Sequence, residues 1–302
     1  MPRFGASSWV WTHPFDPASD VSLVGKLASL GGDHLELGGE AAVHPPAAFG
    51  ELQRALAAHA MTSSVCAVYG PELDLASPDP DIRRAGVEHA RACIEIAATL
   101  GSRIVVGAFC GSGGRVFLSA EERDERLSRG AAELHEIGEM ARKVDVTLAV
   151  EGLNRYENNL VNTLEDLVLL LERADQSNVR ALLDLFHASI EQADLTRAIR
   201  NTGPHIVHCH AVDNTRGAPG SGRLPWGEVL GALQEAGYDG AFVIESFNPG
   251  NPDWASATSS WRQLARSQDE LAQAGIAFMR AAWAAGGIST GTAEPAPMAP
   301  VQ

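Results

Sequence analysis

The segment VTLAVE, Val146–Glu151, is an apolar run that stops on a carboxylate, and three later segments repeat that pattern. They are VRALLD (Val179–Asp184), IVHCH (Ile206–His210) and AFVIE (Ala241–Glu245). Their last residues, Glu151, Asp184, His210 and Glu245, are spaced by 33, 26 and 35 positions. Each interval is about the length of one strand–helix unit, because a parallel strand needs a crossover of a dozen or more residues before its neighbour. Four such units in succession predict ligands converging at one end of a parallel barrel.

Outward from this stretch the alternation continues in both directions. Strands are expected near Phe4–Ser8, His34–Leu37, Thr62–Ala67, Arg103–Ala108, Val146–Glu151, Arg180–Asp184, Ile206–His210 and Ala241–Glu245. Between them run amphipathic stretches, clearest at Asp81–Leu100, Ala120–Lys143, Thr163–Arg173 and Trp226–Ala236. In the first of these, Ile82, Ala85, Val87, Ala90, Cys93, Ile94, Ile96 and Ala97 form a helical stripe. Asp79-Pro80 and Asn162-Thr163 read as helix starts, since short polar side chains satisfy free amide groups there. Eight alternations predict an α/β fold, a (β/α)8 barrel, rather than a doubly wound sheet. No G-x-G-x-x-G turn follows the first strand, which argues against a dinucleotide site. The glycine-rich run from Gly111 to Gly114 is expected to be a flexible loop at the barrel mouth rather than a phosphate cradle. Residues 1–285 are read as one catalytic domain and 286–302, rich in Ala, Pro, Gly and Thr, as a disordered tail.

Composition narrows the partners. The net charge of −15, from 38 acidic against 23 basic residues, repels a phosphate backbone and argues against nucleic acid. Four cysteines (Cys66, Cys93, Cys110, Cys209) show no C-x-x-C pair, and no secretory signal opens the chain, so reduced thiols in a cytoplasmic protein are expected. No apolar stretch approaches the roughly 18 residues that span a bilayer, which sets membrane roles aside.

Barrel active sites lie at the C-terminal ends of the strands, where the four residues fall. Three carboxylates and one imidazole, without a thiolate, suit one divalent ion such as Mn²⁺, Co²⁺ or Mg²⁺ rather than structural zinc. Burying that set without a cation would be costly. His208 shares a strand face with His210 and is read as a barrel-interior residue rather than a ligand. Cys66, at the end of the third strand, either lines the pocket or packs beneath it.

These residues lie within longer motifs: E151-G-L-N-R-Y-E157, D184-L-F-H187, H208-C-H210 followed by Arg216, G220-S-G-R-L-P-W226 and V243-I-E245-S-F247. Together they resemble the ketose 3-epimerases, the D-tagatose 3-epimerase and D-allulose (psicose) 3-epimerase group of the xylose-isomerase-like sugar isomerase and epimerase superfamily. The resemblance covers the whole barrel and is most specific from Val146 to Phe247. It implies that Glu151, Asp184, His210 and Glu245 are metal ligands, and that Glu151 and Glu245 are also the catalytic acid/base pair. Glu157, His187 and Arg216 would hold the hydroxyl and carbonyl oxygens at the keto end of the sugar. The implied reaction inverts carbon 3 of a free ketose, such as D-fructose/D-allulose or D-tagatose/D-sorbose, through a metal-stabilised enediolate. Relatives pair as homodimers or homotetramers, and the same is expected here. At the first strand the family often has an aromatic residue against the sugar, whereas this chain has Ser7, with Trp9 or Trp11 to replace it.

Two related barrels and one inert one compete with this reading. A sugar or hydroxypyruvate isomerase would use the same metal and glutamates to shift a carbonyl; Glu157 with Arg216 favours the epimerase. An endonuclease IV-like three-metal site would need further histidines where Cys66 and the Ala108–Phe109 pair stand. A non-catalytic sugar-binding barrel would not need an intact proton-transfer pair.

Overall fold

The computed structural model describes residues 1–111 and 116–286. Residues 112–114 of the expected loop Gly111–Gly114, and the tail from 287 onward, lie outside the described residues. Eight parallel strands close into a barrel in sequence order. They are β1 (Arg3–Ser7), β2 (His34–Gly38), β3 (Thr62–Cys66), β4 (Ile104–Gly107), β5 (Thr147–Glu151), β6 (Val179–Asp184), β7 (Ile206–His210) and β8 (Ala241–Ile244). Closure is made by β8 against β1, in register from Arg3↔Ala241 to Ala6↔Ile244.

Helices separate every pair of consecutive strands, and their ends follow from local chemistry. Pro80–Leu100 begins where the Asp79 side chain accepts from the Asp81 amide, and stops at Gly101 in the left-handed region. Leu164–Ala174 starts with a reciprocal pair, Thr163 and Asp166 each bonding the other's backbone amide. It buries Leu164, Leu167, Leu170, Leu171 and Ala174, a stripe at helical spacing that packs on the barrel. Beyond the expected helices, Leu185–Glu191 and Leu195–Thr202 follow β6, and Pro252–Thr258 and Gln268–Ala284 follow β8.

Alternation along each strand sorts the side chains into two sets. Leu148 and Val150, Leu183, Val65 and Val105 belong to the large core between barrel and helices. Ala149, Leu182, Cys66 and Val106 join Trp9 and Phe247 in a smaller cluster inside the barrel. Glu151 stands two residues beyond Ala149 and Asp184 two beyond Leu182, so the same alternation turns both carboxylates inward.

Strand ends differ from expectation by at most one residue. β1 stops at Ser7 because Ser8–Val10 turns into a short 3-10 helix capped by the Ser7 side chain. β4 stops at Gly107, whose φ of 150° brings its α-carbon so near strand β3 that a Cβ would lie 2.3 Å from the Ala67 carbonyl oxygen. β8 ends at Ile244, leaving Glu245 on the first residue of the following loop.

Candidate active site

Glu151, Asp184, His210 and Glu245 converge so closely that one donor atom from each lies within 4.8 Å of the others. His210 Nδ1 is central, 3.3 Å from Glu245 Oε1, 3.4 Å from Asp184 Oδ2 and 3.5 Å from Glu151 Oε1. Despite that proximity, His210 Nδ1 and Glu151 Oε1 are buried and make no hydrogen bond. The other ring nitrogen, Nε2, lies 3.0 Å from Glu36 Oε1.

Charge is costly in this pocket. Burial pushes the Glu245 carboxyl up to about 8 and moves Glu151 in the same direction. For Asp184 burial acts likewise and is the largest single effect, but Arg216, His187 and His210 together outweigh it and hold the group well below the usual carboxylate range. Orphaned buried donor atoms, three converging carboxylates and an imidazole nitrogen together fit a divalent cation, which would offset the mutual repulsion. The donor types suit Mn²⁺, Co²⁺ or Mg²⁺.

Asp184 caps the helix Leu185–Glu191: its Oδ1 accepts from the His187 amide at 2.9 Å, leaving Oδ2 toward His210. The spacing D184-L-F-H187 is therefore a helix cap that also sets the His187 ring at the mouth. The backbone amide of Asn154 lies 3.1 Å from His187 Nδ1, and the Asn154 side chain donates to Glu157 Oε1 at 2.9 Å. Glu157 is half-exposed at the rim.

Arg216 reaches the centre from the loop after β7. Its Nη1 donates to Asp184 Oδ2 at 2.7 Å and also to Glu245 Oε2, and its Nη2 lies 2.8 Å from His187 Nε2. Phe186 and Phe247 flank the guanidinium at 4.2 and 5.2 Å from their ring centres. The loop is organised by Asp213, a residue that sequence reasoning missed. Its buried carboxylate accepts from the amides of Asn214, Gly220, Arg223 and Leu224 and from Trp226 Nε1. Arg216 itself sits at φ 63°, an uncommon conformation for a non-glycine residue, with its amide bonded to the Asp213 carbonyl.

The two candidate tryptophans separate. Trp9 packs inside the barrel with Cys66 and Phe247 and donates from Nε1 to Glu40 Oε1 at 3.0 Å. Trp11 turns outward and donates to Asp269. Both contribute to a small pocket of about 150 Å³ with His13, Asn248, Asn251 and Trp254. Cys66 is buried beside Glu36, His210 and Glu245, and burial pushes its thiol well above the ordinary range, so it stands as a neutral wall of the pocket. His208 points into the interior, where its Nε2 lies 2.9 Å from Glu36 Oε2. Glu36, fully buried in the middle of β2, is the second residue that sequence reasoning missed. Its signal was a carboxylate between two leucines on a strand enclosed on both faces.

Residues 24–282 match the family model described as xylose isomerase-like TIM barrel. The D-psicose 3-epimerase of Ruminiclostridium cellulolyticum is 31% identical over 265 residues, 84% of this chain and 89% of that protein. A solved L-ribulose 3-epimerase superposes with a TM-score of 0.86 at 28% identity, covering 95% of this chain and 96% of its own. A D-psicose 3-epimerase from Clostridium cellulolyticum, crystallised with D-tagatose, gives 0.84 at 27% identity, covering 93% and 99%. Likeness of this extent, to one family model and to epimerases along most of both chains, makes the chain a member of the xylose-isomerase-like TIM-barrel family, specifically of its ketose 3-epimerases, and so an isomerase acting on sugars.

Proposed function

We propose that the enzyme inverts carbon 3 of a free ketose with the aid of one divalent cation held by Glu151, Asp184, His210 and Glu245. The observation that carries this reading is the pair of buried glutamates, Glu151 on β5 and Glu245 after β8, that reach the same imidazole from different parts of the barrel rim. Epimerisation needs one group to remove the carbon-3 proton and another to return it on the opposite face. A carboxylate suits either task, because it can accept the proton in one step and return one in the next. The bound cation would stabilise the negative charge that develops on the substrate carbonyl oxygen.

The surrounding side chains then have distinct work. Arg216 and His187 orient the oxygens at the keto end, and half-exposed Glu157 takes a hydroxyl at the rim. Trp9, Phe247 and Cys66 supply an apolar wall that excludes water from the reacting carbon. Mn²⁺ is the metal proposed, with Co²⁺ or Mg²⁺ as substitutes, and D-fructose/D-allulose and D-tagatose/D-sorbose are the substrate pairs. The names of relatives that act on D-psicose and L-ribulose support this choice of substrate class.

The direct test is a panel of ketoses incubated with chelator-treated enzyme, with and without each metal, and the products resolved by chromatography. Carbon-3 epimers that form only in the metal-supplemented reactions are expected. Aldoses without any ketose epimer would overturn the reading in favour of an isomerase.

A further inference from the structure

We propose that Glu36 is the positioning residue of the metal centre: it fixes the His210 ring in the one tautomer that presents Nδ1 to the cation. The inference rests on the metal reading above and extends it to a buried network below the ligands. Glu36 is enclosed on β2, and its two oxygens meet three groups. His210 Nε2 lies 3.0 Å from Oε1, His208 Nε2 lies 2.9 Å from Oε2, and the Ser64 hydroxyl donates to Oε2 at 2.8 Å.

A carboxylate can only accept, so each imidazole must carry its proton on Nε2. For His210 in the metal-binding form, that leaves the Nδ1 lone pair facing the three carboxylates. The opposite tautomer would aim an N–H at the cation and abolish the bond. For His208 it leaves Nδ1 without a proton, consistent with that buried atom's lack of any hydrogen bond.

The network has one direction. Because the Ser64 hydrogen goes to Glu36, His34 must donate from Nε2 to Ser64 Oγ, 2.9 Å away. His34 Nδ1 is then an acceptor for the Thr62 hydroxyl at 2.8 Å. Thr62, His34 and Ser64 thus pass their hydrogens toward one carboxylate, which His208 braces from the other side. The five residues linked to Glu36 directly or through Ser64 stand on β2, β3 and β7 and share the rigidity of the barrel wall. A purely structural role would be served as well by apolar residues, since burying so many polar groups is costly. Orientation of a metal-binding imidazole by an outer carboxylate typically changes metal affinity about 10- to 100-fold.

Glu36→Gln tests the idea, because an amide offers one accepting oxygen where two histidines and a serine need acceptors. Calorimetric titration with Mn²⁺ should show binding weakened about 10- to 100-fold, with native circular dichroism and an altered visible spectrum of the Co²⁺-loaded protein. Ser64→Ala, which removes one brace, should weaken binding less. On the wild-type protein loaded with Mg²⁺, ¹⁵N-histidine NMR should place the His210 proton on Nε2, a readout that does not require any variant to fold. Folded Glu36→Gln with a dissociation constant within twofold of wild type would overturn the inference, as would a His210 proton on Nδ1. Asp184→Asn separates the two levels. If it loses the metal while Glu36→Gln keeps it, the centre stands and the role of Glu36 falls. If the wild type takes up no divalent cation, the reading of the centre falls and this inference with it.

Discussion

Asp184 divides its two oxygens between structure and chemistry, and that division can be tested at the level of one side chain. Oδ1 caps the helix Leu185–Glu191, while Oδ2 faces His210 and Arg216. Asparagine caps about as well as aspartate, whereas alanine does not. Asp184→Asn and Asp184→Ala should therefore both lose metal affinity, but the alanine variant should be less stable by about 1 kcal/mol, read from urea unfolding. Equal midpoints would contradict the capping role. Arg216 is similarly specific: a planar guanidinium bridges two carboxylates and His187 between two aromatic rings, which an ammonium cannot reproduce. Losing such charge-assisted bonds is typically worth about 1.5–3 kcal/mol, so Arg216→Lys should lower kcat/KM roughly 10- to 100-fold. Steady-state kinetics within twofold of wild type would exclude the clamp.

The loop between β7 and the helix Trp226–Glu235 shows how an element can be indispensable and still illegible. Asp213 satisfies four backbone amides and an indole from one buried carboxylate, so Asp213→Ala should cost about 2–3 kcal/mol and displace Arg216. The expected signature is a lower unfolding midpoint together with a raised KM for the ketose; an unchanged KM would show that Arg216 holds its place without the loop's brace. Nothing in the sequence around Asp213 announces this, because its partners are mostly main-chain groups that every residue carries. Glu151, Asp184, His210 and Glu245 were legible for the opposite reason. Each interrupts an apolar run at the same point of a repeating unit, and the chain geometry then brings them together. Glu36 escaped notice because a carboxylate inside HLELG resembles the solvent-facing position of an ordinary alternating strand. Only closure of the barrel shows that both faces of β2 are covered. Trp9 and Trp11, two residues apart, could not be told apart in sequence either; the 3-10 turn after β1 sends one inward and the other toward Asp269.

For the molecule as a whole, the barrel order was readable from eight regularly spaced apolar runs, and only strand ends shifted, where a cap or a glycine stopped the ladder. The consequence of placing three carboxylates in one buried cluster is global. A cation bound only by the folded state adds stability in proportion to the logarithm of its concentration, about 2.7 kcal/mol at a hundredfold excess over its dissociation constant. Chelator treatment should therefore lower the Tm by several degrees, and Mn²⁺ should restore it; a Tm indifferent to both would remove the metal from the account. In the proposed mechanism one of Glu151 and Glu245 removes the carbon-3 proton and the other returns one on the opposite face. The decisive measurement is exchange of that proton in deuterated water, followed by NMR, for the metal-loaded wild type, Glu151→Gln and Glu245→Gln. The wild type should exchange carbon 3 as it epimerises, and each folded variant should lose epimerisation by about 10²–10⁴-fold. Undiminished exchange and epimerisation in either variant would contradict the two-glutamate mechanism.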